Sequence, residues 1–334
     1  MHAPKDLRVE DVPTPHPAAD QALVSVTSVG LCGTDLEEYA HGPVTTVLPV
    51  TLGHEVVGVV AEPAADGSGP PAGTRVVVDV VTGCGHCWWC QQHDEGKCPD
   101  LVVTGLDVDG GLAEYVAGRA ERLIAVPDGL DPVHATLAEP LAVAVRALAK
   151  VGDVSGRSVA VLGGGTIGIL VAQAARAGDG VPLVVEPAVY RRDLCEALGI
   201  ATVWDDDPVR RDAEARGHFP ARGADVVVEC SGRPGMANTA VHLVRAGGAV
   251  VLLGVLAEPE PIDTLDLVLG EKVVHGSAAH MYDVDVAAAV DLLRRGVVDV
   301  SRLVTHRFPL DQVERAFAVL GDPAARAIKV VIEP

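Results

Sequence analysis

The sequence predicts an α/β protein with two domains, one rich in β-strands and one built on a doubly wound parallel sheet. Three observations lead to this fold class. The chain has 334 residues, which suits two domains of ordinary size better than one core. Roughly the first 80 residues alternate short β-branched runs with Pro and Gly, which is typical of antiparallel strands. From about residue 139, short apolar runs alternate with helical stretches, which predicts βαβ crossovers.

The predicted elements follow in chain order. The β-rich part has strands at Ala22–Val29, Val56–Ala61 and Thr74–Val80. The parallel sheet has strands at Val159–Leu162, Leu183–Val185, Val226–Glu229, Val250–Leu253 and Val273–His275, with helices that include Ile167–Ala177 and Arg191–Leu198. A helix at Asp285–Arg295 and a last strand at Ile328–Val331 follow. The predicted domains are 1–138 with 279–334, and 139–278.

Composition and charge exclude several classes of protein. Apolar residues make up 49% of the chain and charged residues 22%, so the chain is predicted to be globular. A net charge of −20 repels phosphate backbones and anionic lipid heads, so neither nucleic acid nor membrane is an expected partner. The N-terminus lacks the pattern of a signal peptide, so we expect a cytoplasmic protein with reduced thiols.

The strongest motif is a set of four cysteines, Cys84-x2-Cys87-x2-Cys90-x7-Cys98. Four thiolates at short spacing favour a closed tetrahedral zinc site, with about 2.3 Å between the metal and each sulfur. A closed site has no position for substrate, so its predicted role is to stabilise a small lobe at about 83–99. Buried free thiols and an iron–sulfur cluster are the alternatives.

A glycine-rich turn follows the run Val159–Leu162 and begins a helical stretch, which predicts a dinucleotide site. Gly163 permits the tight turn, Gly165 lets the backbone approach a pyrophosphate, and Gly168 allows close packing of helix on strand. Glu186 ends the next apolar run and would accept hydrogen bonds from the adenosine ribose, which predicts NAD rather than NADP. Arg191 or Arg192 could instead face a 2′-phosphate, and a loop without nucleotide is the other alternative. The predicted cofactor residues are Gly163, Gly165, Thr166, Ile167, Gly168, Glu186, Arg191, Ser231 and Gly254.

Three dispersed segments carry residue types that bind catalytic zinc: Cys32-Gly-Thr-Asp35, Gly53-His-Glu55 and Glu139-Pro140. Such a zinc takes about three ligands from Cys, His and carboxylate, and leaves a position for water or substrate. Each segment also has an ordinary explanation, as a buried Cys, a core His or a turn at Glu–Pro. The residues alone leave both interpretations open.

In their order along the chain, these motifs resemble the zinc-containing medium-chain dehydrogenases over essentially the whole length. The details are most similar to the polyol branch, which includes sorbitol, threonine and 2,3-butanediol dehydrogenases. Cys32–Tyr39 followed by His41-Gly-Pro43 is similar to the butanediol enzymes. The segments Glu139–Ala144, Glu229–Gly232 and Leu303–His306 carry the same resemblance. It implies a GroES-like β-rich catalytic domain and a Rossmann domain.

The resemblance also implies two zinc ions per chain, a structural zinc at the four cysteines and a catalytic zinc bound by Cys32 and His54. Glu55 and Glu139 would compete for the remaining protein position or exchange with water. Thr34 lies where the family has the hydroxyl that takes the proton of the substrate. Zinc would lower the pKa of the alcohol, and hydride would pass to the nicotinamide. The implied catalytic residues are Thr34, Glu37 and Glu55.

Three features depart from the family pattern. Glu37 stands where the family usually ends its proton relay in a His, so we expect Glu37 or His41 to perform the outer proton transfer. The segment between Tyr39 and Gly53 is shorter than in butanediol dehydrogenases, which leaves the particular diol open. There is little room for the usual first strand before Leu7–Val12, so we expect an abbreviated strand or an upstream start codon.

The predicted activity is that of an NAD-dependent zinc alcohol or polyol dehydrogenase. Its substrate would be a secondary alcohol in a vicinal diol, cyclitol or sugar alcohol, or the corresponding ketone. The alternatives are an aminocyclitol or threonine dehydrogenase, a zinc-free quinone or enoyl reductase, and a non-catalytic relative that binds cofactor. The resemblance further implies a homodimer or homotetramer, with contacts at Val250–Val255 and after Lys272.

Overall fold

The computed structural model of the chain describes residues 1–42, 48–219, 223–256 and 258–334. These residues form two compact units. Unit 1 comprises Met1–Ala142, His280–Arg295 and Val300–Pro334, and unit 2 comprises Val143–Ala279 and Gly296–Asp299. Within the described ranges, no helix combines the length and the apolar character needed to cross a membrane.

The secondary structure alternates strands and helices along the chain. The strands are β1 (Gln21–Leu31), β2 (Glu55–Glu62), β3 (Arg75–Val78), β4 (Val81–Thr82), β5 (Val102–Val103), β6 (Tyr115–Arg119), β7 (Leu123–Ala125), β8 (Ser158–Leu162), β9 (Val181–Val185), β10 (Ala201–Val203), β11 (Ala224–Glu229), β12 (Val244–Leu252), β13 (Val273–Gly276), β14 (Val304–Pro309) and β15 (Lys329–Glu333). The α-helices are α1 (Gly33–His41), α2 (Trp88–Gln91), α3 (Pro132–Ala135), α4 (Ala138–Ala149), α5 (Thr166–Ala177), α6 (Val189–Ala197), α7 (Pro208–Gly217), α8 (Met236–Leu243), α9 (Thr264–Leu269), α10 (Ala287–Arg294) and α11 (Val313–Gly321). Short 3₁₀ turns lie at Glu95–Lys97, Ala120–Arg122, Leu310–Gln312 and Pro323–Ala325, and a π-helical turn lies at Tyr282–Val286.

Unit 1 is built on a seven-stranded sheet in the order β14-β15-β1-β2-β3-β7, with β6 also paired to β1. All of its strand pairs are antiparallel except β14 with β15. The long strand β1 is almost entirely buried, because it pairs with β2, β6 and β15 and its apolar side chains belong to the same core as those of α11. This central position holds the end of β1 firmly, and the residue that follows it is Cys32.

Unit 2 is built on a six-stranded sheet in the order β10-β9-β8-β11-β12-β13, and every pair in it is parallel. The strand β8 is buried along its whole length, as expected for a strand covered on both faces. The strand order reverses direction between β8 and β11, and in such sheets ligands bind at the carboxyl ends on either side of this point. The predicted α/β fold class is therefore confirmed.

Two local features differ from the sequence expectations. The helix expected from Asp285 begins with the π turn Tyr282–Val286, in which Val286 N–H bonds the Met281 carbonyl and Asp285 accepts the Met281 N–H. The regular helix then runs only over α10. Before β1, the described chain has one isolated bridge, Ala3 with Asp6, and Leu7–Val12 forms no strand.

Candidate functional site

Cys32, His54 and Glu55 come together in unit 1, with one ligand atom of each lying within 4.8 Å of the others. Cys32 is partly exposed, whereas His54 and Glu55 are buried. One sulfur, one imidazole nitrogen and one carboxylate oxygen form a donor set that suits zinc. The partial exposure of Cys32 leaves a side from which a small molecule can approach.

The fold places these three donors through two strand ends. Cys32 follows β1 and precedes α1, and its backbone N–H donates to Asp35 Oδ2 over 2.8 Å. Gly53, directly before His54, has φ +98°, and a Cβ there would lie 2.8 Å from the Leu112 side chain. Only glycine therefore fits at this position. Glu55 begins β2 and faces the neighbouring strand β1.

The Asp35 carboxylate lies next to the Nδ1 atom of the His54 ring. Its side chain is fully buried, and its Oδ1 lies 3.3 Å from His54 Nδ1. Neither atom has a hydrogen-bond partner among the described residues. Burial lowers the pKa of His54, but Asp35 and Cys32 outweigh burial and raise it well above its ordinary value. A carboxylate at Nδ1 leaves Nε2 as the nitrogen available to a metal, and metal binding would displace a proton.

Glu55 is paired with Lys329 at the start of β15. Lys329 Nζ lies 2.6 and 2.7 Å from the two carboxylate oxygens and also donates to the Leu31 carbonyl over 3.1 Å. Burial alone would lower the pKa of Lys329, but attraction to Glu55 reverses this and raises it. Burial raises the pKa of Glu55, and the Lys329 ammonium opposes that rise, so Lys329 offsets the charge of one carboxylate in the donor cluster.

The other predicted residues of this site lie around the cluster. The Thr34 hydroxyl is 3.7 Å from Cys32 Sγ. Glu139, in the first turn of α4, is buried but lies outside the three-residue donor cluster, and its Oε1 is 3.4 Å from His280 Nδ1. Glu37 is 76% exposed and lies 3.6 Å from His41. Pro43 and the rest of 43–47, part of the short segment before Gly53, lie outside the described residues.

The four cysteines form a second compact donor set. Their sulfur atoms all lie within 4.8 Å of one another, and Cys87 Sγ is 3.5 Å from Cys90 Sγ. A tetrahedron with metal–sulfur bonds of about 2.3 Å has edges of roughly 3.8 Å, so this spacing fits a single metal ion. The backbone N–H of His86 is the main cause that lowers the pKa of Cys84 to about 6, whereas burial raises the pKa of Cys90 to about 12, so Cys84 is the more readily ionised of the two thiols.

In unit 2, the glycine-rich turn connects β8 to α5. Gly163 has φ +102°, and α5 begins at Thr166 with Gly165 as its N-cap. A Cβ on Gly168 would lie 1.8 Å from the Gly163 carbonyl oxygen, so the helix can pack this closely only with glycine. The backbone N–H groups of this first turn are the elements that hold a pyrophosphate in dinucleotide sites.

Glu186 lies beside this turn and is only 2% exposed. Its two oxygens accept the backbone N–H groups of Gly164 (2.6 Å) and Ala188 (2.7 Å). Arg191 Nη1 lies 3.7 Å from Glu186, whereas Arg192 donates to the backbone carbonyls of residues 186 and 187. Arg192 already has backbone hydrogen-bond partners, so of the two arginines Arg191 is the one whose guanidinium could face a 2′-phosphate next to the turn.

Ser231 and Gly254 lie at the ends of the two neighbouring strands, β11 and β12. The Ser231 N–H donates to Glu229 Oε1 over 2.7 Å. A Cβ on Gly163 would lie 3.2 Å from that of Ser231, and one on Gly254 would lie 2.3 Å from Glu229 Oε2. The predicted cofactor residues of unit 2 thus share one edge of the sheet, on both sides of the reversal in strand order.

Asp35 and Lys329 have clear structural roles that the sequence analysis did not assign. Asp35 could have been found from its place three residues after Cys32. Lys329 lies 274 residues from Glu55, and no local pattern connects the two. The same holds for His280 and its partner Asp79, which are 201 residues apart.

Known proteins resemble the chain throughout its length. Residues 18–128 match the family model of the alcohol dehydrogenase GroES-like domain, and residues 166–295 match that of zinc-binding dehydrogenases. A sorbitol dehydrogenase from Halalkalibacterium halodurans is 31% identical, over 100% of this chain and 97% of that protein.

Solved structures agree with these matches. The 2R,3R-butanediol dehydrogenase from Bacillus subtilis superposes with a TM-score of 0.91 at 28% identity, covering 100% of this chain and 98% of that one. A candidate zinc-binding dehydrogenase from Sinorhizobium meliloti 1021, bound to NADP, superposes with a TM-score of 0.92 at 34% identity, covering 99% and 97%. Sequence and fold therefore point to one family.

Proposed function

The chain belongs to the zinc-containing medium-chain dehydrogenases, and we propose that it oxidises a secondary alcohol of a vicinal diol or polyol with NAD, or reduces the matching ketone. The alcohol dehydrogenase type of oxidoreductase follows from the family. The substrate class is our proposal, and it rests on relatives that are named sorbitol and butanediol dehydrogenases. At identities near 30%, the particular diol or polyol is the part that needs measurement.

The observation that carries the proposal is the cluster of Cys32, His54 and Glu55, with its donor atoms within 4.8 Å of one another. We assign zinc to Cys32 and His54, with Glu55 or Glu139 as the further protein ligand. When bound, zinc supplies a Lewis acid that lowers the pKa of a substrate hydroxyl, and the nicotinamide supplies the hydride acceptor. The four cysteines would hold a second, structural zinc.

Side chains of the protein would then transfer the proton and hold the zinc ligands in position. The Thr34 hydroxyl, beside Cys32, would accept the proton of the substrate and pass it on. Glu37 is exposed and would exchange that proton with solvent, with His41 at 3.6 Å as the neighbouring base. Asp35 would keep His54 in one orientation, and Lys329 would hold the Glu55 carboxylate in place.

We propose NAD as the cofactor, because the Glu186 carboxylate next to the glycine-rich turn would repel a 2′-phosphate. A carboxylate oxygen has two lone pairs, so the backbone bonds of Glu186 leave room for ribose hydroxyl donors. Arg191 supports the alternative, since its guanidinium lies next to the same turn and a relative of similar fold binds NADP.

We also propose that the protein is a homodimer that continues the sheet of unit 2 across a two-fold axis. The strand β13 is the outer strand of that sheet, so one of its edges has no partner strand among the described residues. Near it in sequence, Val268, Leu269 and Val273 are 69%, 76% and 48% exposed. An open strand edge with apolar neighbours is the surface that a second copy of the chain would cover.

The first experiment measures NADH or NADPH formation by the zinc-loaded protein. The panel holds the 2,3-butanediol stereoisomers, sugar alcohols, inositols, aminocyclitols, threonine and simple secondary alcohols. We expect turnover with one diol or polyol class and NAD, and its loss in Cys32→Ser. Turnover with threonine or an aminocyclitol alone would replace the proposed substrate class. No turnover in either direction, with both zinc ions present, would favour a non-catalytic relative.

A further inference from the structure

A buried chain of charged side chains leads from Glu139 to the four-cysteine lobe. Glu139 Oε1 lies 3.4 Å from His280 Nδ1, and His280 Nε2 lies 2.6 Å from Asp79 Oδ1. Asp79 Oδ2 is 3.3 Å from Arg122 Nη1, and Arg122 forms a two-point ion pair with Glu95. The side chains of these five residues are at most 12% exposed.

We propose that His280 is a positioning residue that holds the Glu139 carboxylate in place at the proposed zinc site, and that Asp79, Arg122 and Glu95 connect this arrangement to the four-cysteine lobe. The proposal rests on the proposed function and takes Glu139, rather than Glu55, as the carboxylate ligand of the zinc.

His280 is suited to this role because each of its ring nitrogens faces a carboxylate oxygen. The bond to Asp79 fixes the plane of the ring, and the other nitrogen then points at Glu139. Among the described residues, His280 Nδ1 is a fully buried polar atom without a hydrogen-bond partner of good geometry. A buried polar atom without a bond is costly, so a small movement of Glu139 toward the ring would be favourable.

Arg122 connects His280 to the cysteine lobe. Its guanidinium lies 4.0 Å from the ring centroid of Tyr282, two residues after His280, so it supports the same segment twice. Its partner Glu95 lies between Cys90 and Cys98 in sequence, and the Glu95 carbonyl accepts the Cys98 N–H over 2.8 Å. A movement of this lobe would therefore change the position of Arg122.

Glu95 has little freedom to move inside the lobe. A Cβ on Gly83 would lie 2.8 Å from Glu95 Cβ and 2.7 Å from Cys90 Sγ, so the lobe packs tightly around it. Buried ion pairs with this many partners favour one arrangement, because loss of either partner leaves a buried charge without compensation. A shift of the lobe would thus reach Glu139 by moving the side chains between them, without any change in charge.

The test measures metal binding rather than turnover. A chelator removes the metal of the three-donor site, which keeps an open coordination position, while the zinc in the closed four-cysteine site stays bound. Co²⁺ is then titrated into the emptied site and followed by its d–d absorption. The two key variants are His280→Asn and His280→Gln. The Asn amide reaches about as far as Nδ1, toward Glu139, whereas the Gln amide reaches about as far as Nε2, toward Asp79.

We expect His280→Gln to weaken Co²⁺ binding about 10–100-fold and to shift the d–d bands, and His280→Asn to stay closer to the unaltered protein. If His280 only fills the buried charge cluster, Gln would preserve the contact to Asp79 and the order of the two variants would reverse. That reversal overturns the proposal. In a Glu139→Gln background, His280→Gln should add no further loss of Co²⁺ affinity.

Glu95→Gln tests the connection to the lobe with His280 itself intact. It should weaken Co²⁺ binding in the same direction, whereas the matched variant Glu121→Gln, at an exposed carboxylate 3.6 Å from the same Arg122, should not. Equal effects of the two variants would overturn the connection. If the unaltered protein takes up no Co²⁺ beyond the four-cysteine site, the proposed zinc dehydrogenase fails as well, so the two failures are distinguishable.

Discussion

At the scale of single residues, the three-donor cluster depends on neighbours that are not themselves donors. Asp35 lies behind His54, Lys329 pairs with Glu55, and Gly30 leaves the space in which that pair sits. A Cβ on Gly30 would lie 1.9 Å from Glu55 Oε2. The donors of a metal site are held by such neighbours as much as by their own backbone.

Gly30→Ala should therefore destabilise the protein. The added methyl group displaces the Glu55 carboxylate and leaves the Lys329 ammonium buried without its partner, and we expect a loss of about 2–4 kcal/mol in the free energy of unfolding. Urea denaturation measures it. Gly33→Ala is the matched control, since a Cβ there meets nothing within 4 Å. Equal stability of the two variants would contradict the steric argument.

Thr34→Val tests the proposed proton acceptor. Removal of the hydroxyl should lower kcat about 100-fold, because a positioned acid or base typically contributes 10²–10⁴-fold. Zinc content, measured by atomic emission, should not change, and Thr34→Ser should retain most of the activity. A Thr34→Val protein with unaltered kcat would remove Thr34 from the mechanism.

At the scale of elements, one carboxylate joins three strands of the parallel sheet. Asp225 of β11 accepts two hydrogen bonds from Ser158 of β8, at 2.8 and 2.7 Å, and one from Arg245 of β12, at 2.7 Å. Burial would raise the pKa of Asp225, but these bonds outweigh burial and lower it. A lowered pKa in the folded state means that the stabilisation is present above the ordinary value and is lost as pH falls through the lowered one.

Asp225→Asn should cost about 1 kcal/mol of unfolding free energy at neutral pH. As pH falls below 3.8, the ordinary pKa of this group, the difference from the unaltered protein should shrink, and it should be lost only below the lowered folded-state pKa, where Asp225 is itself neutral. Thermal unfolding across pH measures this. Asp291→Asn, at an exposed carboxylate paired with Arg294, should leave stability unchanged. A constant difference at every pH would contradict the assignment.

The elements were predictable to different degrees. Strands such as β8 and β11 are continuous apolar runs because helices cover both faces of a parallel sheet, so the sequence shows them directly. The π turn at Tyr282–Val286 was missed, because it depends on how Asp285 bonds Met281 and on no periodic pattern. Cys32, His54 and the four cysteines carry spacing or motif signals. Lys329 and His280 do not, since their partners lie more than 200 residues away in sequence.

At the scale of the whole molecule, the exposed edge of β13 decides the expected assembly. Val273→Lys should convert a dimer into a monomer, because a lysine on an edge strand opposes pairing with another chain. Analytical ultracentrifugation would show the change in mass. Val209→Lys, at a position on α7 that is 78% exposed, is the control and should leave the dimer intact. A Val273→Lys protein that remains dimeric would place the contact elsewhere.

The return of the chain to unit 1 after residue 279 has a consequence during synthesis. β1 pairs with β15, and Glu55 forms its ion pair with Lys329 at the start of β15. The surroundings of the proposed metal donors are therefore complete only after the last strand has left the ribosome. The six strands of unit 2 are all translated before that point. A nascent chain should therefore hold a formed parallel sheet in unit 2 while the Cys32 thiol, the proposed zinc ligand, is still without its final surroundings. A stop codon just before Lys329 would remove very little of the chain, yet it would leave the buried Glu55 carboxylate without its cation.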